Sequence, residues 1–259
     1  MGFKTPKQIV AYVETVAETK KQTPASKTFV SAILGGAYIA IGSLLALIIG
    51  GNLPGLEINN VGIQKFVFGA VFPLGLVLVG IAGAELFTGN TAYFMPSVLS
   101  KQMKWGVPLK NWTIVYIGNL VGSLVVAWLF TYYTKIIDGT HAMQYAINIG
   151  ELKTSTSFGI LLVKGAVCNW LVALAMWMSF AAEDIAGKFL VLWFPIMAFV
   201  SMGYEHSVAN MFFIPTAIFH GANVTWYQFF VNNLIPVTLG NIIGGGFFVG
   251  TAYWYIYKK

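Results

Sequence analysis

Apolar residues gather into six long runs along the chain, at 29–50, 66–84, 111–134, 157–182, 189–218 and 234–257. A helix needs about 20 such residues to cross a hydrocarbon core of about 30 Å, so the pattern predicts six transmembrane helices. Four runs carry no charge. The fourth is interrupted by Lys164, and the fifth by Glu205 and His206. The first 28 residues read differently: they are polar and show no apolar core of a cleavable signal. Ile9, Val10, Val13, Val16 and Ala17 recur there at helical spacing. That spacing predicts an amphipathic helix along the membrane surface, with Lys20, Lys21 and Lys27 turned to anionic headgroups. The expected organisation is an N-terminal helix at 1–28, a six-helix body at 29–256 and a short tail at 257–259.

Composition agrees with an integral membrane protein. Of 259 residues, 57% are hydrophobic and 9% charged, against about 25% charged in ordinary soluble domains. The 28 glycines suit close helix packing in lipid. All fifteen basic residues are lysine. Nucleic-acid readers favour the planar fork of arginine, so no nucleic-acid partner is expected. Lysine instead reports orientation. Eleven lysines fall on the side of the termini and three in the opposite loops, which predicts both termini in the cytoplasm of a multi-pass plasma (inner) membrane protein. The single cysteine, Cys168, excludes an internal disulfide and any multi-cysteine metal site. No cofactor or metal is expected.

The second and fifth runs share an order of residues. One reads Phe72-Pro73, then Glu85-Leu86-Phe87-Thr88-Gly89-Asn90, then Pro96; the other reads Phe194-Pro195, then Glu205-His206-Ser207-Val208-Ala209-Asn210, then Pro215. The third and sixth runs match through Gly118-Asn119 and Gly240-Asn241, and the first and fourth weakly through Gly36-Ala37 and Gly165-Ala166. Three spans per copy is an odd number, so the two copies, about 29–136 and 157–256, are inverted. Inverted repeats build a pathway near the midplane from discontinuous helices, and the second and fifth helices are expected to break at their glutamates. Glu85 and Glu205, with Asn90 and Asn210, read as residues that pin the broken loops through backbone N–H groups. His206 has no counterpart, because Leu86 follows the other glutamate. An imidazole there can donate or accept a proton near neutrality.

With Ala84-Glu85-Leu86-Phe87-Thr88-Gly89-Asn90, Gly203-Tyr204-Glu205-His206-Ser207-Val208-Ala209-Asn210 and Cys168-Asn169-Trp170-Leu171-Val172, the chain resembles the formate/nitrite transporter family over about residues 25–256. The resemblance implies an all-α, aquaporin-like protomer in a homopentamer. It implies a channel for small monovalent weak-acid anions: formate or nitrite first, then hydrosulfide or lactate. It places His206, Thr88, Asn169 and Lys153 on the substrate pathway, with proton exchange at His206. It places Leu86 and Phe87, and by spacing Phe72, Leu76 and Phe199, at hydrophobic constrictions. Alternatives stay open: a proton-coupled transporter of the same anions, or a membrane-embedded enzyme. A neutral-solute channel of aquaporin type would carry Asn-Pro-Ala signatures, which are absent.

Overall fold

A computed structural model describes residues 3–258; Met1, Gly2 and Lys259, the last of the expected tail, lie outside the described residues. Ten helices carry the architecture. They are α1 (Pro6–Gln22), α2 (Ala25–Gly50), α3 (Val61–Gly83), α4 (Phe87–Tyr93, continuing after a turn through Met95–Leu99), α5 (Gly106–Tyr133), α6 (His141–Ser155), α7 (Phe158–Ser179), α8 (Ile185–Met202), α9 (Ser207–Phe219) and α10 (Gln228–Tyr257). Six of them are long and apolar enough to cross a membrane: α2, α3, α5, α7, α8 and α10. Helices α4 and α9 are short and almost wholly buried. They complete the second and fifth runs beyond the breaks.

The breaks have a local cause. Gly83 ends α3 at φ +90° and Gly203 ends α8 at φ +76°. That is the left-handed region, which glycine enters without steric cost and which commonly stops helices. Beyond each glycine the chain is extended, with Leu86 at φ −124°, ψ 124° and His206 at φ −108°, ψ 117°. Extended backbone inside a membrane survives only where protein satisfies its polar groups. Here α2 and α7 do so: Glu85 N–H donates to the Ser31 carbonyl and hydroxyl, and Glu205 N–H to the Lys164 carbonyl.

Small residues bring the remaining helices close enough. A Cβ on Gly122 of α5 would collide with the Ile33 carbonyl of α2, and one on Gly244 of α10 with the Ala166 carbonyl of α7. These paired contacts also correct the register of the repeat. Ala32 and Gly165 play equivalent roles, as do Ser31 and Lys164. The sequence match of Gly36 with Gly165 is therefore displaced by one helical turn.

Helix α1 differs from its expected setting along a lipid surface. Thr5 and Gln8 form a reciprocal capping box at its start. Its apolar face (Ile9, Val10, Val13, Ala17) is buried against the protein. Lys4 N–H donates to the Ala181 carbonyl, and Lys258 pairs with Glu14. Lys20 turns inward and Lys21 pairs with Glu18 at 3.1 Å; neither is left to headgroups alone. The region before the fourth span is helix α6.

Candidate transport pathway

Each break is built around a carboxylate. Glu85 Oε1 accepts from Lys20 Nζ at 2.6 Å, and its Oε2 from Asn90 Nδ2 at 2.6 Å; Asn90 Nδ2 also reaches Asn111 Oδ1 at 2.8 Å. The second break repeats this. Glu205 Oε2 accepts from Lys153 Nζ at 2.8 Å and from Asn210 Nδ2 at 2.7 Å, and Asn210 Nδ2 reaches Asn233 Oδ1 at 2.8 Å. The carboxylates thus take an ammonium and an amide side chain rather than the backbone N–H groups expected for them. Burying an ion pair is tolerable when geometry is good and the remaining lone pairs are satisfied.

A second asparagine bridges each gap. Asn119 Oδ1 accepts from Phe87 N–H (3.0 Å), while its Nδ2 donates to the Glu85 and Ala32 carbonyls (2.9 and 2.7 Å). Asn241 does the same for Ser207 N–H and the Glu205 and Gly165 carbonyls (2.9, 3.0 and 2.8 Å). The two asparagines by which the third and sixth runs match are backbone clamps.

Two cavities approach the middle from opposite faces. The one facing away from the termini encloses about 290 Å³ and is walled by Lys65, Lys153, Lys164, Phe72, Phe199 and His206, among others. The one on the terminal face encloses about 150 Å³ and reaches Lys20, Leu86 and Tyr93. Between them Thr88 Oγ1 and His206 Nε2 meet at 3.0 Å, joining the start of α4 to the start of α9. The other ring nitrogen, Nδ1, accepts the Ala209 N–H at 3.1 Å and caps α9. A neutral imidazole has one proton and one lone pair in the ring plane. With Nδ1 accepting, the proton is on Nε2 and points at Thr88.

Of the expected constriction residues, Phe72 and Phe199 meet edge-on at 6.0 Å, and Phe199 stacks on His206 at 6.0 Å. Leu86 borders the terminal-face cavity. Leu76 and Phe87 are buried but border neither cavity; Phe87 packs edge-on against Tyr116 and Trp112. Asn169 lies beside Thr88 and makes no hydrogen bond to His206 among the described residues. Its Nδ2 donates to the Thr88 carbonyl (3.1 Å), Thr91 Oγ1 (3.0 Å) and the Asn241 carbonyl (2.6 Å). Its Oδ1 is buried with no partner among the described residues.

Sequence reading missed Lys20, Thr91 and the two clamps as parts of this site. Lys20 occupies the position in the first copy that Lys153 holds in the second. The corrected register of α2 against α7 would have exposed that match; the displaced one hid it.

Two inverted copies, two half-helices meeting end to end and a cavity from each face define a membrane transport protein of the channel type. Residues 7–255 match the family model described as Formate/nitrite transporter, and the chain belongs to that family. It is 44% identical over its whole length to a probable formate transporter of Methanothermobacter thermautotrophicus, covering 98% of that protein. Among solved structures it resembles an FNT family ion channel (34% identical, TM-score 0.85, covering 97% of this chain and 98% of that one). It also resembles a pentameric formate channel with formate bound (38% identical, TM-score 0.79, covering 91% and 98%). The chain is thus a multi-pass membrane transporter, and the membrane-enzyme alternative falls.

Proposed function

We propose that the protein is a formate channel of the plasma (inner) membrane, with both termini cytoplasmic and five copies assembled. Formate is its first substrate; nitrite, hydrosulfide and lactate are related small weak-acid anions it would also accept. The formate names of its relatives and the lysine bias support this reading. The observation that carries it is the Thr88–His206 contact between two cavities that each hold a lysine.

An isolated carboxylate placed in a medium of low dielectric costs tens of kcal/mol, so it neutralises instead. Lysines in either vestibule draw the anion in, because a cleft of one sign concentrates the opposite one. At Phe72 and Phe199 on one side, or Leu86 on the other, it loses water. Desolvation raises a carboxylate's proton affinity, and it takes a proton from vestibule water. The neutral acid then passes Thr88. Since Nε2–H already donates to Thr88 Oγ1, the threonine O–H is free to donate to the acid's carbonyl oxygen.

This assigns His206 a steadier role than proton exchange. Protonating Nδ1 would break the Ala209 cap and put a cation at the positive end of α9, which a helix dipole disfavours. The residue acts as a fixed neutral donor, and water supplies the proton. Asn169 is a positioning residue, holding the first turn of α4 through the Thr88 carbonyl.

The test is flux into proteoliposomes with internal pH recorded. Formate uptake should acidify the lumen, while chloride and glycerol stay out. Chloride conduction without a pH change would sink the protonation route.

A further inference from the structure

The two lysine–ring pairs beside the breaks differ at one hydroxyl. In the half beyond the second break, Lys153 Nζ rests 5.9 Å from the centre of the Phe213 ring. At the equivalent place in the first half, Lys20 Nζ rests 5.6 Å from the Tyr93 ring. The rings share a position, three residues after the asparagine that holds each glutamate. Only Tyr93 carries an O–H. That group is buried and has no hydrogen-bond partner among the described residues, although the ring is 3% exposed and borders the terminal-face cavity with Lys20.

A buried hydroxyl left unpaired is costly, and native proteins rarely keep one without a use. Its space is also provided for. A Cβ on Gly89 would lie 3.2 Å from the Tyr93 oxygen, closer than such atoms ordinarily approach. The position matching Gly89 in the other half is Ala209, opposite a ring with no hydroxyl to accommodate. Glycine with tyrosine, and alanine with phenylalanine, are two self-consistent pairs.

We propose that the Tyr93 hydroxyl donates a hydrogen bond to an oxygen of a carboxylate or similar oxyanion held beside Lys20, forming a subsite confined to the terminal-face vestibule. The inference rests on the formate-channel reading. Lys20 supplies the charge, its Nζ being shared with Glu85. Tyr93 supplies a directional donor beside the lysine, where the opposite copy has the bare Phe213 ring. The protein therefore holds its substrate more tightly on one face than a symmetric pair of vestibules would.

The experiment uses the full chain in membrane vesicles sorted by sidedness, with formate as the probe and Tyr93→Phe as the variant. The half-saturating formate concentration should rise at least about tenfold when formate is supplied from the terminal face, the size expected for losing one hydrogen bond to a charged group. From the opposite face it should not change. The thermal midpoint should hold or rise, because the variant removes an unpaired buried group. An unchanged half-saturation on the terminal face, or an equal shift on both faces with a lowered midpoint, would overturn the subsite. If the unaltered protein carries no formate from either face, the channel reading fails first and the subsite goes with it.

Discussion

At the first break Glu85 lies between Lys20 and Asn90, Asn119 spans the gap, and Leu86 follows the glutamate. At the second, Glu205 lies between Lys153 and Asn210, Asn241 spans the gap, and His206 follows. The lysine, glutamate and two asparagines that hold each break are present twice. What differs gathers around the Thr88–His206 contact: His206 against Leu86, Thr88 against Val208, Thr91 against Met211 and Asn169 against Gly36. In each pair one copy is polar and the other is not. The shared residues solve a problem of lipid, which both halves have. The unshared ones solve a problem of the substrate, which needs solving once.

The strongest way to break this symmetry is to strand one carboxylate. Lys153→Met should destabilise the folded protein by about 3–5 kcal/mol, the cost of leaving a buried charge unpaired, and Lys20→Met should do nearly the same. Thermal unfolding in detergent reads both, and a large difference between them would deny their equivalence. Next come the clamps. Asn119→Ala and Asn241→Ala each leave several buried backbone groups unmet, and each should cost about 2–3 kcal/mol, again in parallel.

Replacing His206 with its opposite number is aimed at function, with loss of the Ala209 cap as its structural cost. His206→Leu should leave assembly intact and cut formate flux at least about tenfold, since Thr88 loses the partner that orients it. Proteoliposome flux beside size-exclusion chromatography checks it, and normal flux would refute a role for the ring. The smallest effect is expected of Asn169→Ala. It loosens Thr88 without removing it, and flux should fall about threefold, under 1 kcal/mol on the same scale.

The six spans and the two break motifs were legible because hydrophobic length and the Glu-x4-Asn spacing are local properties. Lys153 and Thr88 were assigned to the pathway through resemblance, and His206 through resemblance and its lack of a counterpart in the first copy. Lys20 was not, because its partner Glu85 is 65 residues away and a lysine on an amphipathic helix ordinarily faces solvent. The register of α2 on α7 was misread for a related reason. Glycines repeat every turn along small-residue faces, so a shift of one turn preserves the pattern, and only the carbonyls of Ala32 and Gly165 distinguish the alternatives. Phe87 looked like a gate because it adjoins Leu86. In a helix beginning at Phe87, adjacent residues point in different directions, and this one points to Trp112 and Tyr116. Tyr93 is three residues past a motif and gave no signal until its ring could be set against Phe213.

The Lys20–Glu85 and Lys153–Glu205 pairs have a consequence for how the chain is made. In both, the cation is synthesised first, 65 residues ahead of its carboxylate in one half and 52 in the other. Translation runs in one direction, so each glutamate leaves the ribosome when its lysine has already been delivered on a short helix. Neither acidic residue has to enter the bilayer before its counter-charge exists. Reversing the order of helix and break within either half, as a circular permutation would, keeps every contact of the finished protein but removes that timing, and insertion of the nascent chain is where the difference would be felt.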